Sequence, residues 1–304
     1  MEGTAAQRTA AAGWTDGWYW SADGLRLHWR EMPGPIPDLA DRPTLLCIPG
    51  LTRTAADFAD LEARLAGRWR VVAVDLRGRG ESAWPKDSLS YVPLTYVQDL
   101  GRLIEAAGIG RFVAIGSSVG GALAMQLGAA HRDAIAGAVF NDIGPDIEAA
   151  GLQRLRANVG RSGNWPTWVH AARDLSVRNA ELYPGWTLHD WLVLAKRLCR
   201  LNPAGRIIFD YDPRIAEAFR LPHGDAGIDL WAAVEALAGV PMLSLRGARS
   251  DVLSAATQAE MARRLPEMTV VEVPDVGHAP TLAEPVAVAA LDAFLDRIAR
   301  GEIR

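Results

Sequence analysis

The sequence predicts an α/β fold: a mostly parallel sheet, helices on both faces, and a helical insertion. Three observations predict it. Apolar runs of strand length alternate with helical patterns over most of the 304 residues. Several of those runs are apolar at every position, as strands buried on both faces are. The alternation breaks once, between residue 143 and about residue 225, where helical pattern and tryptophan dominate.

Taken in order, "WYWSADGLRLHWRE" reads as a hairpin turning at Asp23-Gly24. "TLLCIPG" (44–50) is a buried strand ending at Pro-Gly, followed by the helical "AADFADLEARLAG". "RVVAVDLRGRGES" (70–82) is a buried strand running into a glycine-rich turn, and "LTYVQDLGRLIEAAG" (94–108) is a helix. "RFVAIGSS" (111–118) is a strand, "VGGALAMQLGAA" (119–130) a helix and "IAGAVFND" (135–142) a strand. Within the insertion only "RIIF" (206–209) reads as a strand. The alternation then resumes with helix "GIDLWAAVEALAG", strand "VPMLSLRG", helix "SAATQAEMARRL", strand "MTVVEVP" and the C-terminal helix "PVAVAALDAFLDRIAR". The expected organisation is a core over 1–142, a helical cap over 143–225 and the rest of the core over 226–304, with residues 1 to about 13 a mobile tail. Eight strands are expected, with the cap inserted after the sixth.

Composition narrows the function classes. Hydrophobic residues make up 49% and charged residues 22%, the balance of a globular protein. The net charge of −4 argues against nucleic acid or an anionic membrane as a partner. No apolar run is long enough to span a bilayer and the N-terminus lacks the pattern of a secretory signal, so a cytoplasmic protein is expected. Cys47 and Cys199 are far apart, match no metal-ligand spacing, and read as buried free thiols.

The chemistry concentrates at "GSSVG", Gly116 to Gly120. This is a G-x-S-x-G pattern between a buried strand and a helix, the setting in which a serine is lifted above the sheet edge on a sharp turn. Ser118 is its central residue; Ser117 occupies the variable position and reads as a small packing residue. The helix after Ser118 aims its N-terminal amides at charge growing beside the hydroxyl.

Together with "CIPGLTRTAADF", "VVAVDLRGRGES", "LRGARSDVLS" and "VGHAPTLAEP", this motif resembles the α/β-hydrolase superfamily, in its form with a helical cap. The resemblance runs from about Trp18 to Arg300. It implies a serine hydrolase needing no metal or organic cofactor. A serine needs a positioned base, and of six histidines the resemblance points to His278, in a loop after the last strand. His28 and His131 read as structural, and His170, His189 and His223 lie in the cap. Chain order then implies Asp251, in "RGARSDVLS", as the acid. Asp142, in "FNDIGPDIE", is the rival acid, read instead as shaping the pocket floor with Asn141. The oxyanion hole is expected from the amides of Val119 and Leu51. Where the family usually has His-Gly this chain has Pro49-Gly50, which leaves the Leu51 amide available.

Arg53, two residues beyond Leu51, is a candidate for pairing with a substrate carboxylate or with Asp57 or Asp75. The arginines of "DLRGRGES" read as loop architecture. Trp165, Trp168, Trp186 and Trp191 of the cap, with Leu152, Leu155, Val159, Leu192 and Leu194, are expected to divide between packing and pocket lining. The expected function is cleavage of a carboxylic ester or lactone of a medium-sized, partly apolar small molecule through an acyl-enzyme on Ser118. C–C hydrolysis of a diketone-type ring-cleavage product is the alternative, and a weakly catalytic ligand receptor is the reading from another class. Ser118 in the nucleophile position argues against epoxide and haloalkane hydrolysis, which need an aspartate there. The chain is expected to be a monomer or homodimer.

Overall fold

Strand side chains that alternate between two apolar layers explain why the strand sequences carry no polar face. In the computed structural model, which describes residues 13–34, 42–220 and 229–302, Leu46 and Ile48 of β3 (Thr44–Ile48) face one hydrophobic layer, while Leu45 and Cys47 face the other. The same division separates Val72 and Val74 from Val71 and Ala73 in β4 (Val71–Asp75). It also separates Ala114 from Val113 and Ile115 in β5 (Phe112–Ser117). A strand of period two with both faces buried must be apolar throughout.

These strands lie at the centre of one eight-stranded sheet of order β1-β2-β4-β3-β5-β6-β9-β10. The hairpin of β1 (Thr15–Trp20) and β2 (Arg26–Met32) supplies the antiparallel edge, and β2 pairs antiparallel with β4. From β4 onward, through β6 (Ile135–Asn141), β9 (Met242–Gly247) and β10 (Met268–Val273), all pairs are parallel. Helices α2 (Pro93–Ala106), α3 (Val119–Ala130) and α8 (Leu230–Glu235) pack into one layer; α1 (Ala59–Leu65) and α10 (Pro285–Ala299) pack into the other. A further helix, α9 (Ala255–Arg264), buries Met261 in the first layer. Cys47 and Cys199 are buried free thiols, and burial pushes Cys199 up to about 12. Among the described residues no helix is long and apolar enough to cross a membrane.

Between β6 and α8 the described residues make α4 (Ala149–Asn158), α5 (Trp168–Asn179), α6 (Leu188–Leu198) and α7 (Ile215–Arg220). They also make a small ribbon of β7 (Cys199–Leu201) and β8 (Ile207–Phe209). Only β8 was expected. β7 follows α6 without an intervening turn residue, so the sequence offers no break to separate them. The N-terminal tail and His223 lie outside the described residues.

A buried polar junction fixes the loops at the carboxyl end of β4. His28 Nδ1 lies 2.7 Å from the acceptor Oδ2 of Asp75, and its Nε2 lies 3.1 Å from the acceptor Oδ1 of Asp16. Asp75 also accepts from the amides of Ala55 and Glu81, so one carboxylate holds the loop after β3 and the turn after β4. Gly80, at φ +52°, passes so close to this carboxylate that no side chain fits there. Burial opposes protonation of His28, but Asp75 and Asp16 outweigh it and raise its pKa above the ordinary 6.5.

A histidine raised in the folded state contributes stability that is complete below the unfolded value and fades as pH rises through the folded one. The melting-temperature difference between wild type and His28→Gln is therefore expected to be larger at pH 6 than at pH 9. Thermal denaturation at both pH values checks this, and equal differences contradict it.

Candidate active site

The candidate site lies at the carboxyl ends of β3, β5 and β6, where strand order reverses around β3 and open α/β sheets present their crevice. Ser118 joins β5 directly to α3 at φ +53° and ψ −124°, a conformation that L residues seldom adopt. A Cβ on Gly116 would run into the carbonyl of Gly120, and one on Gly120 into the carbonyl of Ile48. Both positions therefore require glycine for the turn to close. Ser118 does not act as a side-chain cap for α3. Its Oγ instead lies 2.8 Å from His278 Nε2.

The other ring nitrogen, Nδ1 of His278, lies 2.7 Å from Asp142 Oδ2. With Nδ1 protonated, it donates to Asp142 while Nε2 accepts from the Ser118 hydroxyl. Asp142 is fully buried at the end of β6, and φ +58° turns its carboxylate toward the histidine. Its oxygens also accept from the amide of Gly247 at 2.8 Å and the hydroxyl of Ser250 at 2.6 Å.

Asp251, expected as the acid, is not the partner of His278. Arg154 of α4 grips it through one guanidinium edge, Nε donating to Oδ2 at 2.5 Å and Nη2 to Oδ1 at 2.7 Å. Burial opposes ionisation of Asp251, but Arg154 outweighs it and holds its carboxyl below the usual range. The loop after β9 instead serves the acid through Gly247 and Ser250, which fix Asp142. Asp251 anchors the insertion: the Glu148 amide bonds to Val252 O, and Gly151 packs onto the Asp251 carbonyl, where a Cβ would collide.

The histidine loop is tied down on two sides. Asn141 Nδ2 donates to Pro280 O at 2.8 Å and to Ser117 Oγ at 3.0 Å, linking the two loops of the site. Ser117, beyond packing, thus accepts a hydrogen bond. From the insertion, Leu182 O accepts the amide of Gly277 at 2.7 Å and Tyr183 donates its hydroxyl to Ala279 O at 2.9 Å. Sequence reasoning missed Leu182 and Tyr183, because no motif marks a residue whose partner is a distant backbone group.

The turn after β3 orients the Leu51 amide. Gly50 O accepts from the Arg53 amide at 3.1 Å, and in a trans peptide this turns the Leu51 N–H the opposite way. Leu51 O accepts from Arg79 Nε at 2.8 Å. Arg79 is fully buried, with its guanidinium over the rings of Tyr96 and Tyr91, so this arginine of "DLRGRGES" supports the loop. Leu51, Val119, Ser118 and His278 all border one cavity of about 820 Å³.

The insertion lines that cavity with Leu152, Leu155, Val159 and Leu194. Of the four tryptophans only Trp186 lines it, stacked on Tyr183 with centroids 4.2 Å apart. Trp191 is core, Trp165 packs edge-on against Phe209, and Trp168 packs on the same layer, because a helical cap must bury one face of its own. His189 lines the cavity, and His170 bonds to Thr167 on the surface.

A model of the alpha/beta hydrolase family matches residues 45–291. The chain belongs to this family. As an alpha/beta hydrolase it is 34% identical to a 3-hydroxybutyrate-oligomer hydrolase of Cupriavidus necator, over 84% of this chain and 89% of that relative. It is 27% identical to a 2-(acetamidomethylene)succinate hydrolase of Mesorhizobium japonicum, over 84% and 88%. The crystal structure of an alpha/beta hydrolase from Novosphingobium aromaticivorans is 49% identical, with a TM-score of 0.89 over 95% of this chain and 100% of that one. The enzyme is a hydrolase.

The two carboxylates should separate by activity. With an activated ester as substrate, Asp142→Asn is expected to lower kcat by about a thousandfold or more, and Asp251→Asn by less than about tenfold. Melting curves control for folding; a larger loss in Asp251→Asn contradicts the geometry.

Proposed function

We propose that this hydrolase cleaves carboxylic esters through an acyl-enzyme on Ser118, with short oligomers of a 3-hydroxy acid as its substrate class. The observation that carries the reading is the line of hydrogen bonds from Ser118 through His278 to Asp142 at the edge of the cavity. Nε2 of His278 takes the hydroxyl proton as Oγ attacks the ester carbonyl. Asp142 holds the Nδ1–H tautomer and stabilises the imidazolium that forms. The oxyanion faces the amides of Leu51 and Val119, the latter at the positive end of α3. Collapse breaks the ester C–O bond, and the alcohol leaves with the proton from His278. A water then gives a proton to His278 and attacks the acyl carbon, which releases the acid and restores Ser118.

The relative from Cupriavidus necator, similar over nearly its whole length, supports the substrate class. The cavity of about 820 Å³ is of the size that holds a small molecule, and its leucines suit the methyl-bearing backbone of such esters.

A fluorophosphonate probe is expected to label Ser118, located by peptide mass spectrometry, and to leave Ser118→Ala unlabelled. The same variant is expected to lose about a thousandfold or more of kcat on a 3-hydroxybutyrate dimer. Retention of wild-type turnover by Ser118→Ala contradicts the reading.

A further inference from the structure

We infer that Arg53 binds the free carboxylate of the substrate, so that the enzyme cleaves the ester nearest the carboxyl end of an oligomer. This inference rests on the ester-hydrolase reading above. Three features of Arg53 carry it. The first is place. A Cβ built on Gly50 would lie 3.1 Å from Arg53 Cγ and 3.6 Å from Ser118 Cβ, so the arginine stem and the nucleophile flank the same glycine.

The second is its donors. Nε is tied to Asp57 Oδ2 at 2.5 Å, an i,i+4 pair that fixes the side chain before any ligand arrives. The two terminal nitrogens make no hydrogen bond among the described residues, and the side chain, 30% exposed, lines the cavity. A guanidinium held by Nε presents two NH2 groups side by side, which match the two oxygens of a carboxylate. Arg154 lines the same cavity, but Asp251 occupies its fork.

The third is surroundings. The buried Tyr183 and Phe58 and the partly buried Asp57 line the cavity with Arg53 and restrict water there, and charge-assisted hydrogen bonds strengthen as water is excluded. In a 3-acyloxy acid only an oxygen and two carbons separate the scissile carbonyl from the carboxylate carbon. A guanidinium rooted beside the oxyanion turn suits that short span. The carboxylate then sits on the leaving-alcohol side, and each turnover releases one hydroxy acid from the carboxyl end.

The test compares a 3-hydroxybutyrate dimer as the free acid with its methyl ester, on wild type, Arg53→Met and Arg53→Lys. The wild-type preference for the acid in kcat/KM is expected to be about tenfold or more, and to shrink to within about twofold in Arg53→Met, with Arg53→Lys between them. A wild type that cleaves both esters without preference, or an Arg53→Met that keeps the preference, overturns the inference and leaves the hydrolase reading standing. If wild type cleaves neither ester, the hydrolase reading fails, and titration calorimetry with free 3-hydroxybutyrate still decides about Arg53. Weaker binding to Arg53→Met than to wild type supports the site; equal binding overturns it.

Discussion

A serine at φ +53° between a strand and a helix can exist only where its neighbours leave no room for relaxation. Here the room is removed by backbone meeting backbone. The first turn of α3 lies against the end of β3, with Gly120 on the carbonyl of Ile48, and Gly116 lies against Gly120 in turn. Strained torsions at one residue are sustained by the burial of a whole strand and helix, since β5 and α3 contribute Val113, Ile115, Leu123, Met125 and Leu127 to the core with no exposure. The strain has a chemical use: it points the hydroxyl away from the helix it would otherwise cap and toward the histidine.

Around that point the polar groups are distributed so that each loop of the site is held by another. Asp142 receives hydrogen bonds from the loop after β9, Asn141 holds both the elbow and the histidine loop, and Asp75 holds the turns after β3 and β4. Buried carboxylates with several donors are costly to leave partly satisfied, which makes such junctions rigid. The two acids beside the histidine thereby take different work. Asp142, fully buried, faces the ring; Asp251, half-buried, meets an arginine from the insertion.

Much of this was legible in the sequence. The apolar runs gave the strands, because burial on both faces leaves no polar position to confuse the pattern. "GSSVG" marked the elbow, because only glycine permits the close approaches that were found. The acid was not legible in the same way. Asp142 and Asp251 both follow strands of the sheet, and chain order admits either between Ser118 and His278. What separates them is the left-handed backbone of Asp142 and the presence of Arg154 opposite Asp251, a contact across 97 residues that no local pattern encodes. The tryptophans misled for a related reason. Large aromatic residues serve packing and recognition equally well, and only the three-dimensional arrangement separates Trp186 from Trp191.

The turn between α5 and α6 holds the histidine loop through Leu182 O and the Tyr183 hydroxyl. The insertion that shapes the cavity is thus also part of the scaffold of the base. A lid that lifted as one rigid piece would draw His278 out of register with Ser118, so admission of substrate is confined to movements that leave residues 182 and 183 in place. The same tether limits how the family can diversify here. Replacing α4 changes what the cavity accepts, whereas exchanging the whole insertion for that of a distant relative removes the grip on the histidine unless that short turn travels with it.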